Sequence, residues 1–354
     1  MQITKVEVTP VELHLKEPVR MGRMAEIRQV TAIFVRIETR QGHNAWGCSV
    51  AHPALTGYDA ETVLRACRAC AALAKDLNPL NMEFALAELE KASGPVFPAL
   101  GAFDLAFHDL LGLAAGMPLY RLLGGYRSRI QTSVTIPLQG LEDSVGYARA
   151  RARLGFRILK IKGGADPEED VRRVRAIRGA LPELTLRLDA DGSYTVQDAL
   201  DVARALQGDI EMLEQPTPAE DLVGLGQVSR QSPVPILADQ SVTNPASALE
   251  LAAQHTVQGF AVKVAACGGL RCAQQIDAII RAARLVTMVS CVIEPALMTS
   301  AGLSFALSSP SVRYGDLDGY LSLAEDPTQA SFRLEDGWLY ASEVPGLGCT
   351  VNLG

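Results

Sequence analysis

The sequence predicts an α/β protein in which a (β/α)8-type barrel follows an N-terminal α+β capping domain. Two observations support this prediction. From about residue 130, short β-branched runs alternate with Ala-, Leu- and Arg-rich helical stretches, whereas before that point strands and helices are segregated. The length of 354 residues suits one barrel of about 250 residues with an added module. We expect residues 1–125 to form the cap, 126–320 the barrel, and 321–354 to return to the cap.

The composition indicates an enzyme that acts on small molecules. The chain has 33 Lys and Arg against 40 Asp and Glu and no basic block, so neither nucleic acid nor an anionic membrane is an expected partner. The first fifteen residues alternate apolar and polar side chains, unlike a signal peptide. Seven irregularly spaced cysteines are typical of free thiols in a reducing compartment, so we expect a cytoplasmic protein.

The capping domain is expected to begin with two or three strands and to continue with helices. Residues 3–13 and 30–38 are the strands that the pattern indicates, and apolar spacing then predicts helices over 59–77, 81–91 and 97–115. At the other end of the chain, residues 332–340 are hairpin-like and residues 345–348 spell Pro-Gly-Leu-Gly. We expect this tail to pack on the N-terminal module.

Eight strands with seven helical intervals are predicted for the barrel, a number that an open doubly wound sheet rarely needs. One interval, 285–307, is apolar enough to resemble a membrane span, but Pro295 and its β-branched start favour a buried strand followed by a helix. The predicted strands are 131–136, 157–162, 185–189, 210–214, 236–239, 259–264, 286–293 and 312–317.

Carboxylates end three successive barrel strands. Asp189, Glu214 and Asp239 lie about 25 residues apart, one βα unit per step, and the ends of barrel strands face the active site. Such residues are often ordinary strand-end or cap carboxylates, but three in consecutive units would repel one another unless a cation lay among them. An all-oxygen set favours Mg²⁺, with Mn²⁺ as an alternative.

Lysines accompany these carboxylates. Lys160 and Lys162 are two residues apart on the second strand and share a face, whereas Lys263 ends the sixth strand, on the opposite side of an eight-stranded barrel. We expect a desolvated lysine close to Mg²⁺ to have a lowered pKa and to accept a proton. The pattern indicates that one lysine removes the proton α to a metal-bound carboxylate and that the other returns a proton to the opposite face.

The sequence resembles the enolase superfamily, in particular the muconate lactonizing enzyme subgroup of the mandelate racemase/muconate lactonizing enzyme family, whose barrel is a modified TIM barrel. By this resemblance Asp189, Glu214 and Asp239 would be Mg²⁺ ligands, Lys162 and Lys263 the acid/base pair, and Lys160 an electrostatic helper. The matching motifs are Lys160-Ile161-Lys162, Asp189-Ala190-Asp191, Glu214-Gln215-Pro216, Ala238-Asp239-Gln240-Ser241, Lys263 with Gly268-Gly269-Leu270, and Pro345-Gly346-Leu347-Gly348.

Two positions depart from the family pattern. Gln240 stands where the family often has Glu, and Asp191 stands where it often has Asn. Gln240 loses a negative charge next to the metal ligands, which is expected to alter metal affinity or the tuning of Lys263. The resemblance also implies that cap loops 18–27 and 49–58 select the substrate, with Met21, Met24, His52 and Leu55 as candidate contacts; for each of them an ordinary loop role is the more common alternative.

The motifs leave the reaction open. Asp316 and Asp318 at the eighth strand look like the Asp-x-Asp motif by which dipeptide epimerases hold a substrate ammonium, although a cap and a turn are the alternative. Glu294 is expected either to contact the substrate or to pair with a lysine. The leading hypothesis is a racemase or epimerase of amino-acid derivatives, dipeptides first; the alternatives are a muconate or chloromuconate cycloisomerase, and a dehydratase such as o-succinylbenzoate synthase.

Two further expectations concern assembly and activity. The resemblance implies a homo-oligomer, either a dimer or an octamer. A non-enzymatic barrel kept for binding would have lost at least one ligand or base, and this sequence retains all of them.

Overall fold

The capping domain is an antiparallel sheet covered on one face by helices. The computed structural model describes residues 1–23 and 25–353, so Met24, a predicted substrate contact, lies outside the described residues. The sheet has the order β1-β2-β3. Its elements are β1 (Ile3–Val19), β2 (Ile27–Thr39) and β3 (Asn44–Ala51), followed by α1 (Pro53–Thr56), α2 (Ala60–Ala74), α3 (Met82–Ser93), α4 (Phe97–Ala115) and α5 (Leu119–Leu122).

The third strand and the longest helix pack directly against each other. A Cβ atom at Gly47 of β3 would lie 1.8 Å from the carbonyl oxygen of Ala102 on α4, so only glycine permits this approach. In the described part of the chain, α4 is the one helix whose length and composition would allow it to cross a membrane, and 78% of its apolar window is buried inside the protein.

Eight parallel strands form the barrel within the described residues, in the order in which they occur along the chain. Every interval between them holds a helix, as predicted. The strands are β5 (Val134–Ile136), β6 (Ile158–Lys162), β7 (Thr185–Asp189), β8 (Leu213–Glu214), β9 (Ile236–Ala238), β10 (Gly259–Lys263), β11 (Val286–Ser290) and β12 (Val312–Asp316). The helices are α6 (Leu141–Arg153), α7 (Pro167–Ala180), α8 (Val196–Ala205), α9 (Leu222–Gln231), α10 (Pro245–Ala253), α11 (Val264–Cys267), α12 (Leu270–Ala282) and α13 (Ala296–Ser308).

The first predicted barrel strand is divided in two. β4 (Arg129–Gln131) pairs outside the barrel, and β5 pairs with β6 inside it, so a single strand over 131–136 is wrong. Between them the chain changes sheets: Thr132 bridges Gly315 of β12, and the Ser133 amide donates to the Gly315 carbonyl at 3.0 Å. This bridge joins the first and last strands and nearly closes the barrel. The interval that resembled a membrane span is β11 followed by α13, as predicted.

The C-terminal tail contacts both modules. The predicted hairpin is present as β14 (Arg333–Glu335) and β15 (Trp338–Tyr340), but β15 pairs with β4 at the barrel and not with the cap sheet. β13 (Thr328–Ala330) pairs with β16 (Cys349–Val351). The segment between β15 and β16 does reach the cap, since the Gly346 carbonyl accepts a hydrogen bond from the Leu119 amide at 2.9 Å.

Two buried carboxylates on α4 join the cap to the barrel and to the C-terminal tail. Asp104 accepts hydrogen bonds from the amides of Leu270 at 2.5 Å and Arg271 at 3.3 Å, which begin α12. Asp109 accepts from the amides of Trp46 at 3.0 Å and Leu347 at 2.7 Å. A carboxylate at a helix N-terminus interacts favourably with the free amides there. The cap is therefore fixed to the segment that directly follows the sixth barrel strand.

Gly269 makes this junction possible, and its replacement is the first test. Its φ is +109°, and a Cβ atom there would lie 2.4 Å from Asp104 Oδ2. We expect Gly269→Ala to lower the free energy of unfolding by at least about 1 kcal/mol more than Gly208→Ala. Gly208 is the matched control, because its φ is +88° but a Cβ atom there meets nothing within 4 Å. Equal destabilisation in urea unfolding would contradict the proposed clash.

Candidate active site

Six charged side chains meet where the parallel barrel strands end, as the sequence predicted. Five of them are at most 7% exposed, and the side chain of Lys263 is 15% exposed. Because all eight strands run in one direction, their carboxyl ends surround one mouth of the barrel. In strand order the six are Lys160 and Lys162 on β6, Asp189 on β7, Glu214 on β8, Asp239 directly after β9, and Lys263 on β10.

Lys160 lies at the centre of a carboxylate cluster. Its Nζ is 3.0 Å from Asp189 Oδ2, 3.2 Å from Glu214 Oε1 and 2.7 Å from Asp316 Oδ2. Burial alone would lower the pKa of Lys160, but these three carboxylates outweigh burial and raise that pKa well above its ordinary value. Lys160 is therefore a fixed positive charge inside the barrel mouth.

The other two lysines are each paired with strand-end carboxylates. Lys162 Nζ lies 2.8 Å from Asp189 Oδ2 and 2.9 Å from Asp191 Oδ1, and Lys263 Nζ bonds to Asp239 Oδ2. Burial lowers the pKa of both lysines, but the neighbouring carboxylates outweigh it, so both pKa values are raised. The expectation of a lowered lysine pKa applies to a lysine close to Mg²⁺ and stays a prediction. The carboxylates that keep the lysines protonated are the same groups that would hold a divalent cation.

Glu214 gives the structural test of whether the three carboxylates suit a cation. Burial and the charge of Asp189 raise the pKa of Glu214 to about 8. Its Oε2 is buried and accepts no hydrogen bond from a described residue, although Lys160 Nζ lies 3.0 Å away; the 3.0 Å separation satisfies ion-pair distance but not hydrogen-bond geometry. A buried carboxylate oxygen that accepts no hydrogen bond and has a carboxylate on each neighbouring strand end fits a hard cation such as Mg²⁺.

The carboxylates are not gathered as a finished metal cage. Among residues 1–23 and 25–353, no three His, Cys, Asp or Glu side chains converge closely enough to hold a metal as they stand. The amines of Lys160 and Lys162 both approach Asp189 Oδ2, and the amine of Lys263 bonds to Asp239. Binding a cation therefore requires these lysines to give up carboxylate contacts, although the donor set itself fits Mg²⁺.

The two departures from the family pattern contact each other. Gln240 Nε2 donates to Asp191 Oδ1 at 3.3 Å, and Asp191 is the carboxylate that pairs with Lys162. With the residues that the family often has, Asn at position 191 and Glu at position 240, this pair would also carry one negative charge. Asp191 thus supplies the negative charge that Gln240 lacks, and it places that charge in direct contact with Lys162.

The Asp-x-Asp motif is present, but its two aspartates have different surroundings. Asp316 accepts from Lys160, from Ser133 Oγ at 2.6 Å and from Ser290 Oγ at 2.8 Å, so both of its oxygens are engaged. Asp318 Oδ2 accepts from the Thr135 amide at 2.6 Å. Burial and the charge of Asp316 raise the pKa of Asp318 to about 6. Asp318 is therefore the member of the motif that lacks a compensating positive charge.

A cavity of about 130 Å³ opens above these residues, between the barrel and the cap. Lys162, Lys263, Asp191, Gln240 and Asp318 line its polar floor. Two predicted cap contacts, Met21 and Leu55, line it together with Val19 and Ala54, which makes the cap side apolar; Ile293 of the barrel lines it as well.

Two other predicted contacts are not on the cavity wall. His52 caps α1, with its Nδ1 accepting from the Ala54 amide at 3.2 Å. Glu294 is 3% exposed and turns away from the cavity, accepting from Thr299 Oγ1 at 3.3 Å and from the Val292 amide at 3.4 Å. Glu294 was expected to contact the substrate or to pair with a lysine. Its carboxylate instead accepts hydrogen bonds from the Thr299 hydroxyl and the Val292 amide.

Sequence reasoning missed several residues that shape the site. Gln215 Oε1 accepts from the Asp239 amide at 2.7 Å and its Nε2 donates to Ser241 Oγ at 2.9 Å, so it joins the ends of β8 and β9. Tyr147 and Arg151 of α6 line the outer part of the cavity. Gln215 and Ser241 were visible in the matched motifs, whereas nothing in the sequence of α6 shows which of its turns faces the barrel mouth.

A buried network holds the strand that carries the lysines. Arg173 donates to the carbonyl of Lys162 at 2.7 Å and pairs with Asp170. Asp170 Oδ2 also accepts from the Gly164 amide at 2.7 Å and from the Tyr194 hydroxyl at 2.5 Å. The chain that leaves β6 is thus fixed from behind, which limits movement of Lys162.

Both halves of the chain match known families. Residues 3–124 match the mandelate racemase/muconate lactonizing enzyme N-terminal domain, and residues 144–353 match the enolase C-terminal domain-like family. The chain therefore belongs to the mandelate racemase/muconate lactonizing enzyme family and is an isomerase of the enolase superfamily. The resemblance drawn from its motifs is confirmed.

Within this family, several of the similar proteins are dipeptide epimerases. The chain is 34% identical to the L-Lys-D/L-Arg epimerase of Methylococcus capsulatus over 98% of its own length and 99% of that protein. It is 33% identical to the hydrophobic dipeptide epimerase of Enterococcus faecalis over 98% and 99%. A crystal structure of the dipeptide epimerase from Enterococcus faecalis, complexed with Mg and the dipeptide L-Leu-L-Tyr, superposes with a TM-score of 0.95, covering 99% of this chain and all of that one.

Exchanging the residues at 191 and 240 tests their coupling. Gln240→Glu alone places two carboxylates at a 3.3 Å contact, and we expect it to lower the free energy of unfolding by about 1–3 kcal/mol. Adding Asp191→Asn should recover most of that loss, because one carboxylate and one amide again face each other. A double-mutant cycle by thermal unfolding measures this recovery. Additive losses would show that the two residues are independent.

Burial of Glu294 predicts a pH-dependent stability. Burial raises its pKa to about 8 against an ordinary value of 4.5. A carboxyl with a raised folded-state pKa binds its proton more tightly when folded, so the stability that it contributes falls as pH rises from about 4.5 to 8. Glu294→Gln should reduce the loss of stability between pH 5 and pH 8 by on the order of 2–3 kcal/mol. Parallel curves of wild type and variant in urea titrations would contradict this.

Proposed function

We propose that the protein is a Mg²⁺-dependent dipeptide epimerase that inverts the α-carbon of the C-terminal residue of its substrate. The observation that carries the proposal is that two lysines line one cavity from opposite sides of the barrel. Lys162 on β6 and Lys263 on β10 are four strands apart in an eight-stranded barrel, and both line the same cavity. Asp318, which lacks a compensating positive charge, lines that cavity as well. The relatives named as epimerases support the same reaction class.

Asp189, Glu214 and Asp239 would hold the cation. Their buried carboxylates and the unpaired Glu214 oxygen suit a hard divalent ion. When bound, Mg²⁺ supplies a positive charge that stabilises the negative charge developing on the substrate carboxylate.

The lysines supply the proton transfers. The lysine on one face accepts the α-proton from the substrate, and the lysine on the other face donates a proton to the same carbon. Because the two protons move on opposite faces, the carbon is inverted. Lys160 keeps a fixed positive charge beside Asp189, Glu214 and Asp316, which favours a negatively charged substrate carboxylate nearby.

Asp318 would bind the substrate ammonium. Its Oδ2 is held by the Thr135 amide, while its Oδ1 has only the Cys291 thiol, at 3.8 Å. An ammonium group would compensate the buried charge of Asp318, and neither a muconate nor an o-succinylbenzoate precursor carries one. This feature favours the epimerase over the cycloisomerase and dehydratase alternatives. Asp316 also lines the cavity, and its Oδ2 accepts a hydrogen bond from Lys160.

The cap side of the cavity favours an apolar side chain on the inverted residue. Val19, Met21, Ala54 and Leu55 of the cap form this wall and present no charge to it, and Ile293, which follows β11 in the barrel, also lines the cavity. An apolar side chain gains from leaving water there, whereas a charged one would be desolvated without a partner.

The test combines a dipeptide library with base variants. We expect wild-type protein with Mg²⁺ in D₂O to exchange the α-proton of the C-terminal residue of L,L-dipeptides such as L-Ala-L-Leu and to invert its α-carbon. Mass spectrometry measures the exchange, and chiral separation measures the inversion. Lys162→Ala and Lys263→Ala should each abolish inversion, and each should retain slow exchange from a different epimer because one base remains.

The matched control is Lys75→Ala, an exposed lysine of the cap, which should exchange and invert like wild type. Exchange without inversion in the wild-type protein would contradict the two-base assignment. Absence of exchange from every dipeptide, with turnover of a muconate instead, would replace the proposal with cycloisomerisation.

A further inference from the structure

The cavity extends beyond Asp318 to the outer face of the barrel. After β12 the chain forms a 3₁₀ turn, Gly319–Ser322, where the other barrel strands are followed by helices. The same cavity is also lined by Thr135 and Pro137 and by Tyr147 and Arg151 of α6. These four residues belong neither to the apolar cap wall nor to the carboxylates that would hold the cation.

Arg151 is positioned by an aromatic ring and retains free hydrogen-bonding capacity. Its Nη2 donates to the Tyr147 hydroxyl oxygen, and its guanidinium carbon lies 4.4 Å from the centroid of the Tyr147 ring. Its Nε is buried and has no hydrogen-bond partner among the described residues. Since the Tyr147 oxygen accepts from Arg151, its own proton remains available for a further acceptor. Arg151 and Tyr147 thus each keep a hydrogen-bond donor, and both residues line the cavity.

We propose that Arg151 and Tyr147 form a subsite for the side-chain carboxylate of an acidic N-terminal residue, L-Glu or L-Asp, of the dipeptide. This inference rests on the proposed function and extends it, because it names the residue at the substrate's other end. A guanidinium presents a planar fork that matches a carboxylate, and a buried, unpaired Nε–H is costly until an acceptor reaches it.

The placement of the subsite agrees with the position of Asp318. The ammonium and the side chain of an N-terminal residue leave the same carbon, so their binding groups must be neighbours. Thr135 provides that link: its amide donates to Asp318, and it lines the cavity between Asp318 and Pro137. Different parts of the cavity then select different residues of the substrate. Arg151 and Tyr147 bind the acidic side chain of the first residue, and the apolar cap wall binds the side chain of the second.

The experiment compares two isosteric dipeptides, L-Glu-L-Leu and L-Gln-L-Leu. Their dissociation constants are measured by calorimetry with the Mg²⁺-loaded protein, and their kcat/KM values by α-proton exchange. We expect the wild type to favour L-Glu-L-Leu at least tenfold. Arg151→Met should reduce this preference at least tenfold, Arg151→Lys should reduce it partly because the charge remains without the fork, and Tyr147→Phe should give an intermediate loss.

Arg153→Met is the matched control, because Arg153 lies two residues further along α6 and is exposed. Its Glu-to-Gln preference should equal that of wild type. A wild type without preference, a preference that survives in Arg151→Met, or failure to bind either dipeptide would overturn the subsite. Neutral dipeptides that bind but never exchange their α-proton would overturn the proposed function alone, since the binding ratio still measures the subsite.

Discussion

The structure of the site depends on an excess of buried negative charge at the barrel mouth. Six carboxylates are each at most 9% exposed there, and only three amines lie among them. Burial and this negative charge raise the pKa of Glu214, whose Oε2 accepts no hydrogen bond from a described residue, and a divalent cation would offset two of the three excess charges. The carboxylates are Asp189, Asp191, Glu214, Asp239, Asp316 and Asp318, and the amines are Lys160, Lys162 and Lys263.

The charge cluster borders a cavity only while the cap covers the barrel mouth, because residues of the cap line that cavity together with residues of the barrel. α4 holds the two modules through Asp104, whose carboxylate binds the first amides of α12, a few residues after Lys263. The close approach of Gly269 to Asp104 leaves no room for a side chain. The apolar cap wall and the sixth barrel strand are consequently positioned by one contact, so substrate selection and proton transfer share a structural basis.

The sequence was informative wherever periodicity fixes position. Strand ends recur once per βα unit, so Asp189, Glu214 and Asp239 could be placed on one rim without coordinates. Side chains outside that repeat could not be placed: the rotation of α6 that brings Arg151 to the cavity depends on packing against neighbouring elements. Glu294 also shows this limit, because the hydroxyl of Thr299 decides which way its carboxylate turns. The division at Thr132 depends on pairing with Gly315, a contact between distant parts of the chain.

The contact between Gln240 and Asp191 makes the two proposed bases unequal. Lys162 is paired with two carboxylates, Asp189 and Asp191, whereas Lys263 is paired with Asp239. Moving the negative charge from position 240 to position 191 brings it against Lys162 and holds that amine more firmly in its protonated form. The equilibrium between epimers cannot change, because a catalyst stabilises both directions of one transition state alike. The inequality acts instead on the two half-reactions, in which Lys162 and Lys263 exchange the roles of proton acceptor and proton donor.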